Sequence, residues 1–400
     1  MDDVSSSCTR SIHLINSAEF KLLVALTDPA PDKRQHEIAD AVQSVGTNAI
    51  DWKHFLQLVS WHRVVPQVYL GLVAYKDNIP GNIFNQLYRS NFKIQRISLR
   101  QSAWLVKISQ LFESNQVRFI PIKGVALSQL LYSDSGCRQS KDLDIIIDCA
   151  DVNTAEQLLT EKMGFKRKHP PETATSEEID FLNRCTKDRV YQHPGDKIVL
   201  EVHWRFLTDS SILEVPFDEL IKSSMQQQFH HQTLRILSYD YLWLYQSLHG
   251  TAAGWYRLHW LSDIAKMLVS FKPDWHRLLK MADQYHCQKC LFEAVCLASQ
   301  IYHIPIPEAF YSYKQQFWQQ RLSTPLALHL LSSAQIQSFF IEFWRRLFWM
   351  PKQYFCLYLL YKLCQRPRGS VSWYRQHPHR YILYYLLRPV AFVIRRCWIR

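Results

Sequence analysis

The spacing of apolar residues changes at residue 117, and this change limits the chain to folds that combine a small sheet with many helices. From residue 15 to about 110, apolar side chains return every three or four positions, which predicts helices. Residues 117–122 (VRFIPI) and 142–147 (DLDIII) are instead short β-rich runs, and the segment KGVALSQLLY between them has helical spacing. Two more strand candidates, RVYQH and KIVLEVHW, flank the turn signal Pro194-Gly195-Asp196. The sequence therefore predicts an α/β unit between helical regions.

The predicted fold class is α+β and mostly helical, with a small mixed β-sheet. A chain of 400 residues exceeds what one core usually supports, and 10 glycines against 13 tryptophans disfavour a turn-rich all-β architecture. Four regions are expected: a helical region over 1–115, an α/β core over 116–210, a helical bundle over 211–315 and a basic aromatic helical tail over 316–400. Within the core, the polar stretch KRKHPPETATSEEID predicts a mobile surface loop.

Two of the strand candidates carry acidic residues that interrupt apolar runs. Asp142 and Asp144 are one residue apart in KDLDIIID, so both carboxylates are expected on one face, about 7 Å apart along the strand. Three isoleucines follow directly, which places the acids at the entrance of a buried strand, where a metal ion would compensate their charge. In KIVLEVHW, Glu201 interrupts a strand in the same way, and His203 is expected on the face of Glu201.

This pattern predicts a site for divalent cations, Mg²⁺ or Mn²⁺, held by Asp142, Asp144 and Glu201. Two metal ions that share such carboxylates stabilise the attacking and leaving oxygens of an in-line phosphoryl or nucleotidyl displacement. Hard carboxylate sites and triphosphates suit Mg²⁺. The alternative for the aspartates is a solvated strand edge. For His203, a structural hydrogen-bonded role and a role in the site are equally supported.

Two basic residues are candidates for phosphate contacts. Lys123 and Gly124 end the first strand candidate just before a helix, where backbone N–H groups and the helix dipole favour an anion. Gly124 permits a close approach of the ligand. Arg138 lies in the loop before the aspartates, and its guanidinium offers bidentate donors. For Lys123, a solvated lysine at a strand end is a nearly equal alternative.

These motifs resemble a bacterial nucleotidyltransferase-like family of the DNA-polymerase-β-like superfamily. The resemblance rests on IKGVALSQLLYSDSGCRQSKDLDIIID, on Gly164-Phe165 and on LEVHWRF, and it continues in LHG at 248–250 and RLHWLSDIA at 257–265. It implies that Asp142 and Asp144 are the metal-binding pair, with Glu201 as the third carboxylate. It also implies that Gly124 begins the superfamily's glycine-serine helix, although Val125 stands where the wider superfamily has Ser or Thr. Members of the family are mostly uncharacterised, so the resemblance implies a reaction class and no substrate.

In the second half of that match, His249 stays open between a place in the cleft and a structural role. Asp263 is expected to cap or pair within the helical bundle.

The charge of the chain is concentrated near its C-terminus. Residues 341–400 hold ten Arg and two Lys against one acid, Glu342, which leaves +11 of the total formal charge of +12. The apolar runs there are too short and interrupted to span a membrane, so the alternatives are packing on the bundle or peripheral contact with an anionic membrane. No specific nucleic acid is predicted as a partner, since no nucleic-acid-binding motif accompanies the charge.

The expected function is metal-dependent transfer of a nucleoside monophosphate from an NTP to a small-molecule, sugar or peptide acceptor. The alternatives are an inactive nucleotide-binding regulator and a scaffold at a membrane surface. The first residues, MDDVSSSCTRSIHLINSAEF, contain no apolar run of signal-peptide length, so a cytoplasmic location is expected, with the inner membrane surface as a place of peripheral contact.

Overall fold

The computed structural model of the protein describes residues 17–44, 49–208, 212–313 and 349. Apart from Trp349, the predicted basic tail and its membrane contact lie outside these described residues. Within them the predicted fold class is confirmed, because helices predominate around a mixed five-stranded sheet. In the same residue ranges, no helix is both long enough and apolar enough to cross a bilayer.

Helices fill the N-terminal region, as the helical spacing predicted. They are α1 (Ala18–Leu26), α2 (Gln35–Gln43), α3 (Trp52–His62), α4 (Val65–Leu72) and α5 (Gly81–Ser114), with 3₁₀ helices at Pro31–Arg34 and Val73–Asn78. Asp51 caps α3, because its side chain accepts the N–H groups of Lys53 and His54. Arg63 ends α3 in the left-handed conformation, at φ 56°.

The 34-residue helix α5 connects the N-terminal region to the sheet. Its buried side chains Leu105 and Phe112 belong to the same apolar core as Ile145 of the sheet. Trp104 also donates from Nε1 to Oδ2 of Asp196 at 2.9 Å, which ties α5 to the predicted turn at 194–196. Burial of aromatic and aliphatic side chains against the sheet stabilises this arrangement by about 1.5–3 kcal/mol for each fully buried side chain.

Five strands form the central sheet. They are β1 (Phe119–Pro121), β2 (Leu143–Ile147), β3 (Lys166–His169), β4 (Asp188–Gln192) and β5 (Val199–His203), in the order β1-β2-β5-β4-β3. The pairing of β2 with β5 is parallel, and the other three pairings are antiparallel. All five residues of β2 are buried, as expected for a strand with neighbours on both sides. Helix α6 (Gly124–Tyr132) connects β1 to β2. After β2 comes α7 (Val152–Gln157), continued by a π-helical turn at Leu158–Lys162.

The prediction of a loop over KRKHPPETATSEEID is wrong at both ends of that segment, and only 170–175 lie outside helices and strands. Its first four residues form β3, which pairs with β4 at the edge of the sheet, and its last residues begin α8 (Ser176–Cys185). An edge strand buries little surface, so it keeps the lysines that made this segment look like a loop. The helix start had a signal in the sequence, because Thr175 and Glu178 form a capping box.

The C-terminal half contains a hairpin that the helical spacing did not predict. Strands β6 (Met225–Phe229) and β7 (Gln232–Ile236) pair in antiparallel fashion. The three consecutive glutamines of MQQQF hide the alternation typical of a strand, and Phe229 is the one residue of β6 that is fully buried. The expected helices surround it: α9 (Phe217–Ser223), α10 (Tyr239–Ala253), α11 (Leu258–Ser270), α12 (Trp275–Gln284) and α13 (Gln288–Tyr302), followed by a 3₁₀ helix at Glu308–Tyr313.

His62 joins the two helical regions in the interior. Its Nδ1 accepts the backbone N–H of Leu258 at 3.2 Å, and the residue has no exposed surface. Burial lowers the pKa of His62 from 6.5 to about 3, so the folded chain holds this side chain neutral. Below pH 6.5 the unfolded chain therefore binds a proton that the folded chain does not, and stability is lost as the pH falls toward the folded pKa.

We predict that His62→Gln reduces the loss of stability in mild acid, because glutamine can accept the same N–H group and does not titrate. Between pH 7.5 and 5, the free energy of unfolding of the wild type should fall by about 2 kcal/mol more than that of the variant. Urea unfolding at the two pH values measures this difference. His36→Gln, at an exposed position in α2, is the matched control and should behave as the wild type. Equal pH dependence in the wild type and His62→Gln would contradict the prediction.

Candidate active site

The parallel pairing of β2 and β5 brings two of the predicted acids side by side. Asp144 lies opposite Glu201 in the register, and His203 lies opposite Ile146, two residues further along. Nε2 of His203 lies 3.2 Å from Oδ1 of Asp144 and 3.3 Å from Oε2 of Glu201. Ligand atoms of these three residues all lie within 4.8 Å of one another. Two carboxylates and an imidazole thus converge at one point on the sheet.

This cluster is nearly closed to solvent. Asp144 is 3% exposed and His203 is 0% exposed, whereas the side chain of Glu201 is 24% exposed. Burial alone would raise the pKa of Asp144, but Lys123 and His203 hold it well below its ordinary value. Asp144 is therefore a carboxylate in the folded protein, and its charge is balanced by its neighbours.

Lys123 supplies most of that balance. Its Nζ lies 2.8 Å from Oδ1 of Asp144, and its side chain is 13% exposed. Burial opposes the charge of this ammonium group, but Asp144 raises the pKa of Lys123 above its ordinary value. The predicted strand-end lysine is consequently not a solvated side chain, since it points into the carboxylate cluster.

Gly124 fixes the start of α6 against the acidic segment. Its φ of +67° lies in the left-handed region that favours glycine. A Cβ at this position would lie 3.4 Å from the backbone oxygen of Asp142. In this structure, Gly124 therefore lets the chain just before β2 pack closely against the first turn of α6.

Asp142 stands beside the cluster and is not one of its three members. It directly precedes β2 and is half-buried. Burial and the negative charges of Asp144 and Glu201 raise the pKa of Asp142 to about 6. The predicted pair Asp142 and Asp144 thus lies close enough for strong mutual repulsion, which a bound cation would relieve.

Arg138 has a partner in the helical region. Its Nε donates to Oδ2 of Asp263 at 2.6 Å, and Arg138 is 4% exposed. The hydroxyl of Tyr132 donates to the other oxygen of Asp263 at 3.0 Å. Asp263 therefore pairs inside the protein, and Arg138 anchors the loop before β2 to α11.

Four residues near the cluster were not predicted as site residues from the sequence. Nζ of Lys187 lies 2.8 Å from Asp188, 3.5 Å from Nδ1 of His203 and 3.9 Å from Oε2 of Glu201. Tyr245 is buried on α10 and hydrogen-bonds to Lys123. His249 follows one turn later, where burial and then Lys123 lower its pKa well below the ordinary value.

The sequence held different signals for these four residues. Lys187 and Asp188 are adjacent charged residues just before the predicted strand RVYQH, which could have been noticed. Tyr245 lies in an aromatic-rich helix, where nothing in the local pattern separates it from the core residues around it. For His249, the structure gives a location near the cluster, which the sequence had left open.

The sheet, the flanking helices and the buried carboxylates define a nucleotidyltransferase-like α+β protein. A family model described as uncharacterised nucleotidyltransferase matches residues 48–303, which is more than half of the 400-residue chain. The chain belongs to this family of uncharacterised nucleotidyltransferases.

A crystal structure of an antigenic nucleotidyltransferase-like protein from Paracoccidioides brasiliensis matches with 15% identity and a TM-score of 0.29, over 52% of this chain and 97% of that one. No curated protein matches this chain.

We predict that Lys123→Met destabilises the protein in metal-free buffer, because it leaves the buried charge of Asp144 without its ammonium partner. Loss of one member of a buried ion pair typically costs about 3–5 kcal/mol. Urea unfolding should show a loss in this range, and excess Mn²⁺ should restore part of it. Lys280→Met, at an exposed position in α12, should leave the stability within about 0.5 kcal/mol of the wild type. A Lys123→Met protein as stable as the wild type would contradict the proposed balance of charge.

Proposed function

We propose that the protein is a metal-dependent nucleotidyltransferase that moves a nucleoside monophosphate from an NTP to a hydroxyl group of a small-molecule, sugar or peptide acceptor. The observation that carries the proposal is the alignment of Asp144 with Glu201 on parallel strands, with His203 within 3.3 Å of both. Membership in a nucleotidyltransferase family supports the same reaction class. A buried pair of acids is costly unless it is compensated, so an arrangement of this kind points to a cation-binding role.

The donor atoms fit a divalent cation. Asp144 and Glu201 offer the oxygen ligands that Mg²⁺ and Mn²⁺ prefer, and His203 offers a nitrogen next to them. Asp142 would add a further carboxylate to the site from the loop before β2. Burial and its acidic neighbours raise its pKa to about 6. Bound cations would neutralise the charge that develops on the phosphoryl oxygens and lower the pKa of a coordinated hydroxyl.

The residues of the chain have separable tasks in this proposal. Nε2 of His203 lies 3.2 Å from Oδ1 of Asp144 and holds the carboxylate in one orientation. Glu201 is the most exposed member of the cluster, so it is the carboxylate that an acceptor hydroxyl meets and the candidate general base. Lys123 keeps Asp144 ionised, and with the first N–H groups of α6 it forms the candidate contact for the nucleotide phosphates. We also assign Arg138 and His203, together with Lys123 and Gly124, to nucleotide binding.

We predict that Asp144→Asn lowers nucleotidyl transfer by about a thousandfold or more, because a neutral amide cannot hold a cation in this buried position. Purified full-length protein is incubated with Mg²⁺ or Mn²⁺, each α-labelled NTP and cell extract as a source of acceptors. Release of pyrophosphate and transfer of label are then measured. Asp148→Asn, at the opposite end of β2, is the matched control and should keep activity. Full activity in a folded Asp144→Asn protein would overturn the metal assignment.

Metal binding itself gives a second prediction. Calorimetric titration with Mn²⁺ should show binding about tenfold or more weaker in Glu201→Gln than in the wild type, because one charged ligand is lost. Glu113→Gln, at an exposed position in α5, is the matched control. His203→Gln should weaken Mn²⁺ more than Mg²⁺, since Mg²⁺ takes oxygen ligands. Unchanged Mn²⁺ affinity in Glu201→Gln would remove this residue from the site.

One observation favours a second candidate, a protein that binds a nucleotide without transferring it. Lys123 already pairs with Asp144 at 2.8 Å, so the carboxylate is satisfied without a metal ion. Val125 also removes the hydroxyl that the wider superfamily places at the start of this helix. Nucleotide binding without pyrophosphate release, equal in the wild type and Asp144→Asn, would favour this candidate over the transferase.

A further inference from the structure

A basic cleft of about 930 Å³ lies beside the segment that leads into Asp142. Its lining comes from α3, from the first turns of α5, from the loop before β2 and from the residue before α11. Four cationic residues line it, Lys53, Arg63, Lys141 and Arg257, and no carboxylate belongs to the described lining. This size suits a small-molecule ligand, and the one-sided charge suits an anion.

The cleft also holds polar atoms that lack partners within the described part of the chain. They are Nε1 of Trp61, Nε of Arg257 and Oε1 of Gln139, each buried and without a hydrogen bond. Buried polar atoms in folded proteins nearly always have partners, so three such atoms around one cleft indicate groups available to a ligand. The oxygen and nitrogen of the Gln139 amide can exchange places, which makes this side chain a donor as well.

Aromatic side chains hold Arg257, one of the four cationic residues of the cleft, in place. The guanidinium of Arg257 lies 5.5 Å from the centre of the Trp61 ring and 5.2 Å from that of Tyr256. Such stacking orients a guanidinium while leaving its edge donors free for a planar or tetrahedral anion. Arg257 is therefore positioned before any ligand arrives, which reduces the entropy lost on binding.

Two of the cationic residues of the cleft lie next to Asp142, in sequence or in space. Lys141 lines the cleft and directly precedes Asp142. Arg63, at the end of α3, also lies close enough to Asp142 for a direct electrostatic interaction. None of the residues assigned to the nucleotide side, Lys123, Gly124, Arg138 and His203, lines the cleft. The lining of the cleft and the residues assigned to the nucleotide are therefore different sets of side chains.

We propose that this cleft binds the phosphate groups of an anionic second substrate and holds it next to the metal centre as the nucleotidyl acceptor. The role of the ligand as acceptor rests on the proposed transferase function, whereas the anion site is supported by the geometry of the cleft itself. The substrate class is a phosphorylated small molecule with a free hydroxyl. The cations of the cleft bind its phosphate, and the hydroxyl faces Asp142 and Glu201.

The anion site is tested with inorganic tripolyphosphate, titrated calorimetrically into the full-length protein in metal-free, low-salt buffer. Lys53→Gln and Lys141→Gln should each weaken binding about fivefold or more, because each removes one charged contact at an exposed lysine. Lys280→Gln in α12 and Lys222→Gln in α9 remove the same charge at exposed positions outside the lining of the cleft, and should stay within twofold of the wild type. If all four variants weaken binding equally, or the two cleft variants have no effect, the cleft is not an anion site.

A second titration separates the acceptor from the nucleotide. The protein is first saturated with Mg²⁺ and a non-hydrolysable NTP analogue, and tripolyphosphate is then added. An affinity within about twofold of that without the analogue supports a separate acceptor site, whereas competition by the analogue shows that the cleft holds the nucleotide's own phosphates and overturns the proposal.

Asp144→Asn distinguishes the two failures, because it should abolish transfer and leave metal-free tripolyphosphate binding unchanged. If the wild type shows no transfer and yet Lys53→Gln and Lys141→Gln weaken tripolyphosphate binding, the transferase function fails and the anion site remains. If Asp144→Asn instead strengthens tripolyphosphate binding, the anion is held by Lys123, which the substitution frees from its carboxylate partner, and the cleft proposal fails.

Discussion

The parallel pairing of β2 with β5 is the constraint on which the rest of the site depends. It sets Asp144 opposite Glu201 and brings His203 within hydrogen-bonding distance of Asp144. Buried charges are tolerated when they are paired, and Lys123, just after β1, provides the partner of Asp144. The sheet order β1-β2-β5-β4 thus places three chain segments, distant in sequence, around one buried carboxylate.

The helical regions hold this arrangement in position. Arg138 links the loop before β2 to Asp263 of α11, and Nε2 of Gln246 on α10 donates to the backbone oxygen of Ile122 at 3.3 Å. His62 of α3 accepts the N–H of Leu258, so the N-terminal helices and α11 are connected as well. These contacts are buried hydrogen bonds, which are costly to break because each partner would be left without a substitute. The basic cleft lies between the same segments, so the scaffold that fixes the acids also shapes the cleft.

Much of the fold could be predicted from the sequence. The strands at 119–121, 143–147, 188–192 and 199–203 and most helices followed from apolar spacing, because residues in regular elements bury one face. The edge strand Lys166–His169 and the hairpin at 225–236 were missed, since edge strands and glutamine-rich strands bury little and carry no clear pattern. At the site, the structure brings Asp144, Glu201 and His203 together, whereas the predicted metal ligands were Asp142, Asp144 and Glu201, and the roles of all these residues stay proposals.

The sequence by itself determined which strands carry acids and that Glu201 and His203 share a face, because alternation along a strand depends only on neighbours in the chain. The tertiary structure alone decided which residues compensate those acids. Lys123 turns inward to Asp144, Arg138 is engaged by Asp263, and Lys187 and Tyr245 join the cluster. The physical reason is that the stability of a buried charge depends on groups brought close by strand order and helix packing, and sequence distance does not encode that proximity.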